Sequence, residues 1–192
     1  MLSDPPKPVI YAFVDAANIM YRPNDLHSWK IDVLKLLMYL RERFGVSRVF
    51  YYGGVDYLNA VQVRMYEKMR NWGYELCLNP VKRFVNEAGE RYLKADVDSR
   101  MTFDMMHLLS EYDRAIVITG DGDFYWVLQY LLHQKEKVWL LSRNKKTAKE
   151  LKKLFGGNFA NFDNLRSVLE FTHTKKETDS TNDSVSGLTG LM

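Results

Sequence analysis

The 192-residue chain has one cysteine, Cys77. That excludes an intrachain disulfide framework and leaves too few thiolates for a cysteine-built zinc site. Cys77 reads as a small, buried strand residue. No apolar run approaches the roughly 18 residues a membrane helix needs, and no N-terminal stretch has the length and flanks of a signal peptide. A soluble, cytoplasmic protein with no membrane partner is expected. The chain lacks a P-loop and any Gly-x-Gly-x-x-Gly run, and no Asp-x-Asp follows the first apolar run, as a phosphoaspartyl enzyme would need. The four histidines, His27, His107, His133 and His173, have no metal-pair or dyad spacing, and Ser28, Ser99 and Ser142 lack a nucleophile-elbow context. The net charge of +3 is too mild to imply a polyanion partner, so the distribution of charge must decide.

Hydrophobic residues are not scarce. At 46% of the chain they can fill one core. Short apolar runs predict strands at Val9–Asp15, Arg48–Tyr52, Tyr74–Val81, Ala115–Thr119 and Lys137–Leu141. Between them, helical periodicity covers Asp32–Phe44, Ala60–Trp72, Val97–Ser110, Phe124–Gln134 and Lys146–Leu154, with Gly45 and Gly73 as stops. Lys82–Lys94 is polar and reads as a hairpin or a loop over the sheet edge. Phe159–Phe171 is a last apolar stretch, with a helix from Asn164. Alternating strands and helices predict an α/β fold: a doubly wound, mostly parallel sheet of about five strands with helices on both faces. Residues 1–8 form a Pro-rich lead-in and 9–171 one domain. Residues 172–192, rich in Ser, Thr and Asp, cannot bury enough surface to offset ordering entropy and are expected to be disordered.

Acids collect where such a sheet binds ligands, at the carboxyl ends of its strands. The first strand ends in Asp15, with Asn18 three residues on. The fourth leads into Thr119-Gly-Asp-Gly-Asp-Phe124, placing Asp121 and Asp123 on a glycine turn. The helix before that strand runs antiparallel to it. A strand climbs about 3.3 Å per residue and a helix 1.5 Å, so about 13 helical residues match the strand's height. Counting back from Glu111 reaches Asp98, on the same stripe as Met101 and Met105 and so directed inward. Asp104 falls about 9 Å lower by the same count, and Asp96 precedes the helix as a candidate cap. Converging carboxylates repel one another, and an oxygen-only set favours Mg²⁺ or Mn²⁺. Against this, a lone Asp at a strand–helix junction is often only an N-cap, a role that suits Asp123.

With these residues in order, the chain resembles the NYN family, the PIN-like nuclease group that includes LabA-like proteins. The motifs are Val14-Asp15-Ala-Ala-Asn18, Lys94-Ala-Asp-Val-Asp98 with Asp104, and Thr119-Gly-Asp-Gly-Asp-Phe124, and the likeness runs from about Val9 to Leu141. Asp96 departs from the pattern, where Asn or a small residue is more usual. The resemblance implies a metal-dependent ribonuclease with Asp15, Asp98, Asp104 and Asp121 around Mg²⁺ or Mn²⁺, supported by Asn18 and Asp123. It raises Asp104 above its place in the height argument. It also raises a homodimer, for which the sequence marks no interface stripe.

Groups suited to an RNA partner are present. Lys145, Lys146, Lys149, Lys152 and Lys153 crowd one short segment, with Arg143 before it, and give a phosphate-binding stripe or a solvated helix face. Lys82, Arg83, Arg91 and Lys94 lie on the segment entering the acidic helix. Tyr21, Trp29 and Tyr57 fall on loops at the site edge and could stack bases or anchor those loops. Tyr125 and Trp126 read as core or interface. The leading expectation is a divalent-metal-dependent endoribonuclease acting on RNA phosphodiesters. An inactive RNA-binding or regulatory module of the same fold is the alternative, and a phosphatase of another α/β fold is disfavoured by the missing motifs.

Overall fold

Each apolar run becomes a parallel strand because both of its faces are covered by helices. The computed structural model describes residues 6–19, 29–85, 89 and 91–172, with backbone alone at 83 and 91–94. The main sheet contains β1 (Ile10–Asp15), β2 (Arg48–Val55), β3 (Tyr74–Pro80), β6 (Arg114–Ile118), β7 (Lys137–Ser142) and β8 (Phe159–Asn161). Its spatial order is β3-β2-β1-β6-β7-β8, with every pairing parallel. Between them β4 (Lys82–Val85) and β5 (Arg91–Lys94) pair antiparallel as a separate hairpin, which resolves the polar segment in favour of a hairpin.

The helices are α1 (Ala16–Ile19), α2 (Val33–Phe44), α3 (Ala60–Trp72), α4 (Asp98–His107), α5 (Tyr125–Gln134), α6 (Lys149–Phe155) and α7 (Arg166–Leu169). Alternation along β1 divides them. Ile10, Ala12 and Val14 pack with Leu36, Leu37 and Leu40 of α2, Met69 of α3 and Leu169 of α7. Tyr11 and Phe13 pack with Met101 and Met105 of α4, Leu128 and Leu131 of α5, and Leu151 and Phe155 of α6. Asp15 continues the odd-numbered side and so points toward the face that α4 covers. No helix among the described residues is long and apolar enough to cross a membrane.

Several boundaries differ from the sequence reading. A sixth strand, β8, extends the expected five; it is only three residues long, and it read as part of one apolar stretch. β2 continues through Gly53-Gly54 rather than stopping there. Those glycines mark close approach: a Cβ on Gly54 would lie 2.8 Å from the Ala95 Cβ and from a Val81 methyl. The basic segment does not start a helix at Lys146. Asn144–Lys146 is a 3₁₀ turn, and Thr147 stays extended before α6. Asp96 does not cap α4, whose N-cap is Val97 without a side-chain bond. The predicted disordered segment falls, apart from residue 172, outside the described residues, as do Tyr21, His27 and Ser28.

The Asp32 side chain caps α2, accepting from the amides of Leu34 at 2.9 Å and Lys35 at 3.2 Å. Asp32→Ala leaves those donors without that acceptor and is expected to cost about 1 kcal/mol. In thermal denaturation this should appear as a Tm lowered by about 2–4 °C.

Candidate active site

The strand order reverses between β1 and β6. Successive connections leave in opposite directions there, opening a crevice at the carboxyl ends of both strands. The β1–β6 register pairs Val14 with Ile118, which brings Asp15 level with Thr119. A cleft of about 620 Å³ opens over this point. Asp15, Asn18, Asp98, Asp121, Lys145 and Lys146 line it, together with Gly120 and Gly122.

Asp15 forms its floor and is only 3% exposed. Its Oδ1 accepts from the Ala17 amide at 2.9 Å. Its Oδ2 accepts from the Asn18 amide group at 2.7 Å and the Thr119 hydroxyl at 3.1 Å. The Asn18 amide group also donates to Thr119 Oγ1, and the buried Ser142 hydroxyl donates to Asn18 Oδ1 at 3.4 Å. The Asp121 amide donates to Thr119 Oγ1 at 3.2 Å. One hydrogen-bonded chain therefore joins β1, α1, β6 and β7 around a buried carboxylate. Gly120 threads through it with no room for a side chain: a Cβ would lie 2.7 Å from both Asn18 Oδ1 and Ser142 Oγ, and 2.8 Å from the Lys146 carbonyl.

Asp121 turns the chain after β6. Its Oδ1 accepts from the Asp123 amide at 3.0 Å, so it carries the capping role that the sequence suggested for Asp123. Asp123 is exposed and does not line the cleft. Asp98 opens α4 at the rim, where the height argument put it. Asp104 lies elsewhere. It is buried below the cleft, where it accepts from Tyr52 Oη at 3.2 Å and from Arg100 Nε at 2.9 Å, with Cys77 Sγ at 3.7 Å. The structure thus brings Asp15, Asn18, Asp98 and Asp121 together and leaves Asp104 and Asp123 out of the lining.

Burial pushes the Asp15 carboxyl above its ordinary range; its three hydrogen bonds oppose that shift, and the charge of Asp121 adds to it. Partial desolvation by the cleft walls raises Asp98 as well, and the charges of Asp15, Asp121, Asp96 and Asp123 raise it further. Carboxylates that raise one another favour an added cation. Among the described residues no three His, Cys, Asp or Glu side chains stand close enough together to grip an ion directly. Mg²⁺ keeps several waters and is usually held by one or two carboxylates, so an oxygen-lined, water-accessible cleft suits it without a closed cage.

Of the basic residues, Lys145 and Lys146 line the cleft, and Lys149 is exposed at the start of α6. Arg143 corrects the sequence reading. It is 4% exposed, donates from Nη2 to the Trp29 carbonyl at 2.6 Å and lies over the Trp29 ring, so it anchors a loop rather than facing a ligand. Trp29 is buried beneath it, which removes it as a stacking surface, whereas Tyr57 is exposed. The side chain of Lys94 lies outside the described residues. Thr119 and Gly120 entered the sequence reading only as part of a motif, and Ser142 only as a serine without a nucleophile context. The signal for Thr119 was its level with Asp15 across two parallel strands, which needs the pairing to be known.

The NYN domain family model matches residues 10–159. The Low amplitude and bright protein LabA of Synechococcus elongatus is 24% identical over 163 residues, covering 83% of this chain and 87% of that protein. The crystal structure of a Vibrio parahaemolyticus protein of unknown function superposes with a TM-score of 0.62 at 20% identity, covering 80% of this chain and 92% of the other. At that identity the likeness is one of fold.

Asp98 titrates above the unfolded carboxylate value of 3.8, so its ionisation opposes folding. That penalty is full above the raised folded value, shrinks as the pH falls through it, and is absent below 3.8. Asp98→Asn is therefore expected to raise the Tm of metal-free protein at neutral pH by about 1–2 °C. Melting curves taken at decreasing pH should show the gain vanish; a lowered Tm at neutral pH would contradict the electrostatic account.

Proposed function

We propose that this chain, which belongs to the NYN domain family of PIN-like nucleases, is a divalent-metal-dependent ribonuclease that hydrolyses RNA phosphodiesters. One observation carries the reading: a buried carboxylate, Asp15, shares the switch-point cleft with Asp98, Asp121 and two lysines. Acids that raise one another are suited to a cation, and lysines beside them are suited to phosphate.

Asp15, Asp98 and Asp121 would hold Mg²⁺ or Mn²⁺. A divalent ion in such a site supplies a Lewis acid that offsets phosphate charge and lowers the pKa of water. Asn18, Thr119 and the Ala17 amide fix the Asp15 carboxylate by taking three of its roughly four lone-pair sites, leaving about one for a cation. Desolvation and the charges of Asp15 and Asp121 raise the Asp98 carboxyl, so a cation beside it is favoured. Lys145 and Lys146 would contact phosphate oxygens inside the cleft, and Lys149 outside it, giving binding that weakens with salt. In-line hydrolysis would leave a 3′-hydroxyl and a 5′-phosphate. Asp104 acts below the site, where the hydrogen bond from Tyr52 of β2 ties α4, and so Asp98, to the sheet, and Arg100 on α4 itself answers its charge.

A second reading, an RNA-binding module without cleavage, is favoured by one observation: the acids are not gathered tightly enough to grip an ion by themselves. A single experiment decides between them. Labelled single-stranded, hairpin and transfer RNA are incubated with wild-type protein in millimolar Mn²⁺ or in EDTA, and with Asp121→Asn protein. The expected outcome is metal-dependent cutting that falls at least about 100-fold in the variant. Salt-dependent RNA retention with no cutting of any substrate would establish the second reading.

Asp104→Asn separates the roles of the two acids on α4. It is expected to cost about 1–3 kcal/mol of stability by weakening a buried charged pairing, while cleavage stays within about tenfold of wild type. Loss of cutting as complete as in Asp121→Asn, in a protein that still melts cooperatively, would return Asp104 to the metal-holding set.

A further inference from the structure

Phe124, Leu128 and Leu131 are buried and fix the orientation of α5 and of the turn before it. Two residues from Leu128 is about 200° around a helix, so Trp126 points the opposite way. It is 76% exposed, with its ring edge-on to Tyr125 at 5.3 Å. Burying an indole removes about 150–250 Å² from water, so leaving it exposed gives up one of the largest hydrophobic contributions a side chain can make.

The position of Trp126 suggests what would cover it. Gly122 lines the acidic cleft, and Trp126 follows four residues later, about 7 Å along the axis of the 3₁₀ turn and helix. The same turn abuts the start of α6: a Cβ on Gly122 would lie 3.4 Å from the Ala148 Cβ and 2.6 Å from Glu150 Oε1. Lys145 and Lys146 in the cleft and Lys149 on α6 therefore stand beside the Asp121 turn, one helical turn from an exposed indole. Cations for phosphate next to a flat aromatic face are the two elements of a single-strand platform.

We infer that Trp126 stacks on an unpaired nucleobase next to the phosphate held in the cleft, and that this contact is what favours a single strand over a duplex. The inference rests on the RNA-directed reading of the cleft and adds the residue that distinguishes the two. A base inside a duplex has both faces covered by its neighbours, so only an unpaired or splayed base can use the indole. Stacking of this kind tolerates any base, so the preference concerns strandedness and not sequence. Trp126 is a specificity residue here; it takes no part in bond breaking.

The test measures anisotropy of labelled oligouridine, and of a labelled RNA duplex of equal length, in EDTA so that nothing is cut. Wild type, Trp126→Ala and Trp126→Phe are compared, with cleavage in Mn²⁺ followed in parallel. Because the side chain is exposed, both variants should keep the wild-type Tm. Wild type is expected to prefer the single strand. Trp126→Ala should weaken that affinity about 5- to 100-fold and leave duplex affinity within about twofold. Trp126→Phe should recover most of the loss. Equal single-strand affinity in wild type and Trp126→Ala would overturn the inference while leaving the nuclease reading intact. Wild type that neither binds nor cuts either RNA would overturn both.

Discussion

A carboxylate held out of water at the switch point of a parallel sheet constrains much of this structure. Burying the Asp15 charge costs several kcal/mol unless donors surround it. Three donors do so, and each requires a separate feature of the fold. The Ala17 amide and the Asn18 side chain reach Asp15 only because α1 turns immediately after β1. The Thr119 hydroxyl reaches it only because β6 pairs with β1 in the register that sets Val14 beside Ile118. Asn18 is steadied in turn by Ser142 at the end of β7, across a glycine that leaves space for the contact. These donors lessen the cost of burial without cancelling it, since the Asp15 carboxyl still titrates high.

The second helical layer shows how stability and chemistry occupy different levels of one element. α4 packs on one sheet face and carries two acids six residues apart. The upper one, Asp98, opens the helix at solvent level among other negative charges. The lower one, Asp104, sits between Arg100 and Tyr52 and has its charge answered within the protein. At 1.5 Å per residue this separation is about 9 Å, too far for both acids to bind one ion directly. A satisfied acid has little reason to bind a cation; one crowded by like charges does.

Much of this was legible in the sequence, and where it was not there is a physical reason. α3 and its glycine stop, and the strand that ends at Asp15, follow from local periodicity and turn chemistry, which act over a few residues. The level of Asp98 followed from two rises per residue and one turn. β8 escaped because three residues carry no periodicity, and its pairing with β7 is a long-range contact. The predicted strand ended at Tyr52 because glycine weakens strands locally, yet Gly53-Gly54 continues it and leaves room for Ala95 and Val81. Arg143 was misplaced for the same reason: in isolation it looks solvent-seeking, and only its packing on Trp29, 114 residues away, buries it. For Trp29 the anchoring alternative held.

The modest net charge fits the layout of the sheet edge better than a strongly basic surface would. A net charge of +3 gives weak long-range attraction for a polyanion, and salt screens it within about 10 Å. On the proposed reading, selectivity would come from the short range, where Lys145 and Lys146 share a cleft with Asp15, Asp98 and Asp121. Acids alone would repel a phosphate, and lysines alone would bind one without placing it against an acid. Under the proposed function, a phosphate beside the lysines would be better accommodated with a cation offsetting the carboxylates, so that substrate and metal binding would reinforce each other.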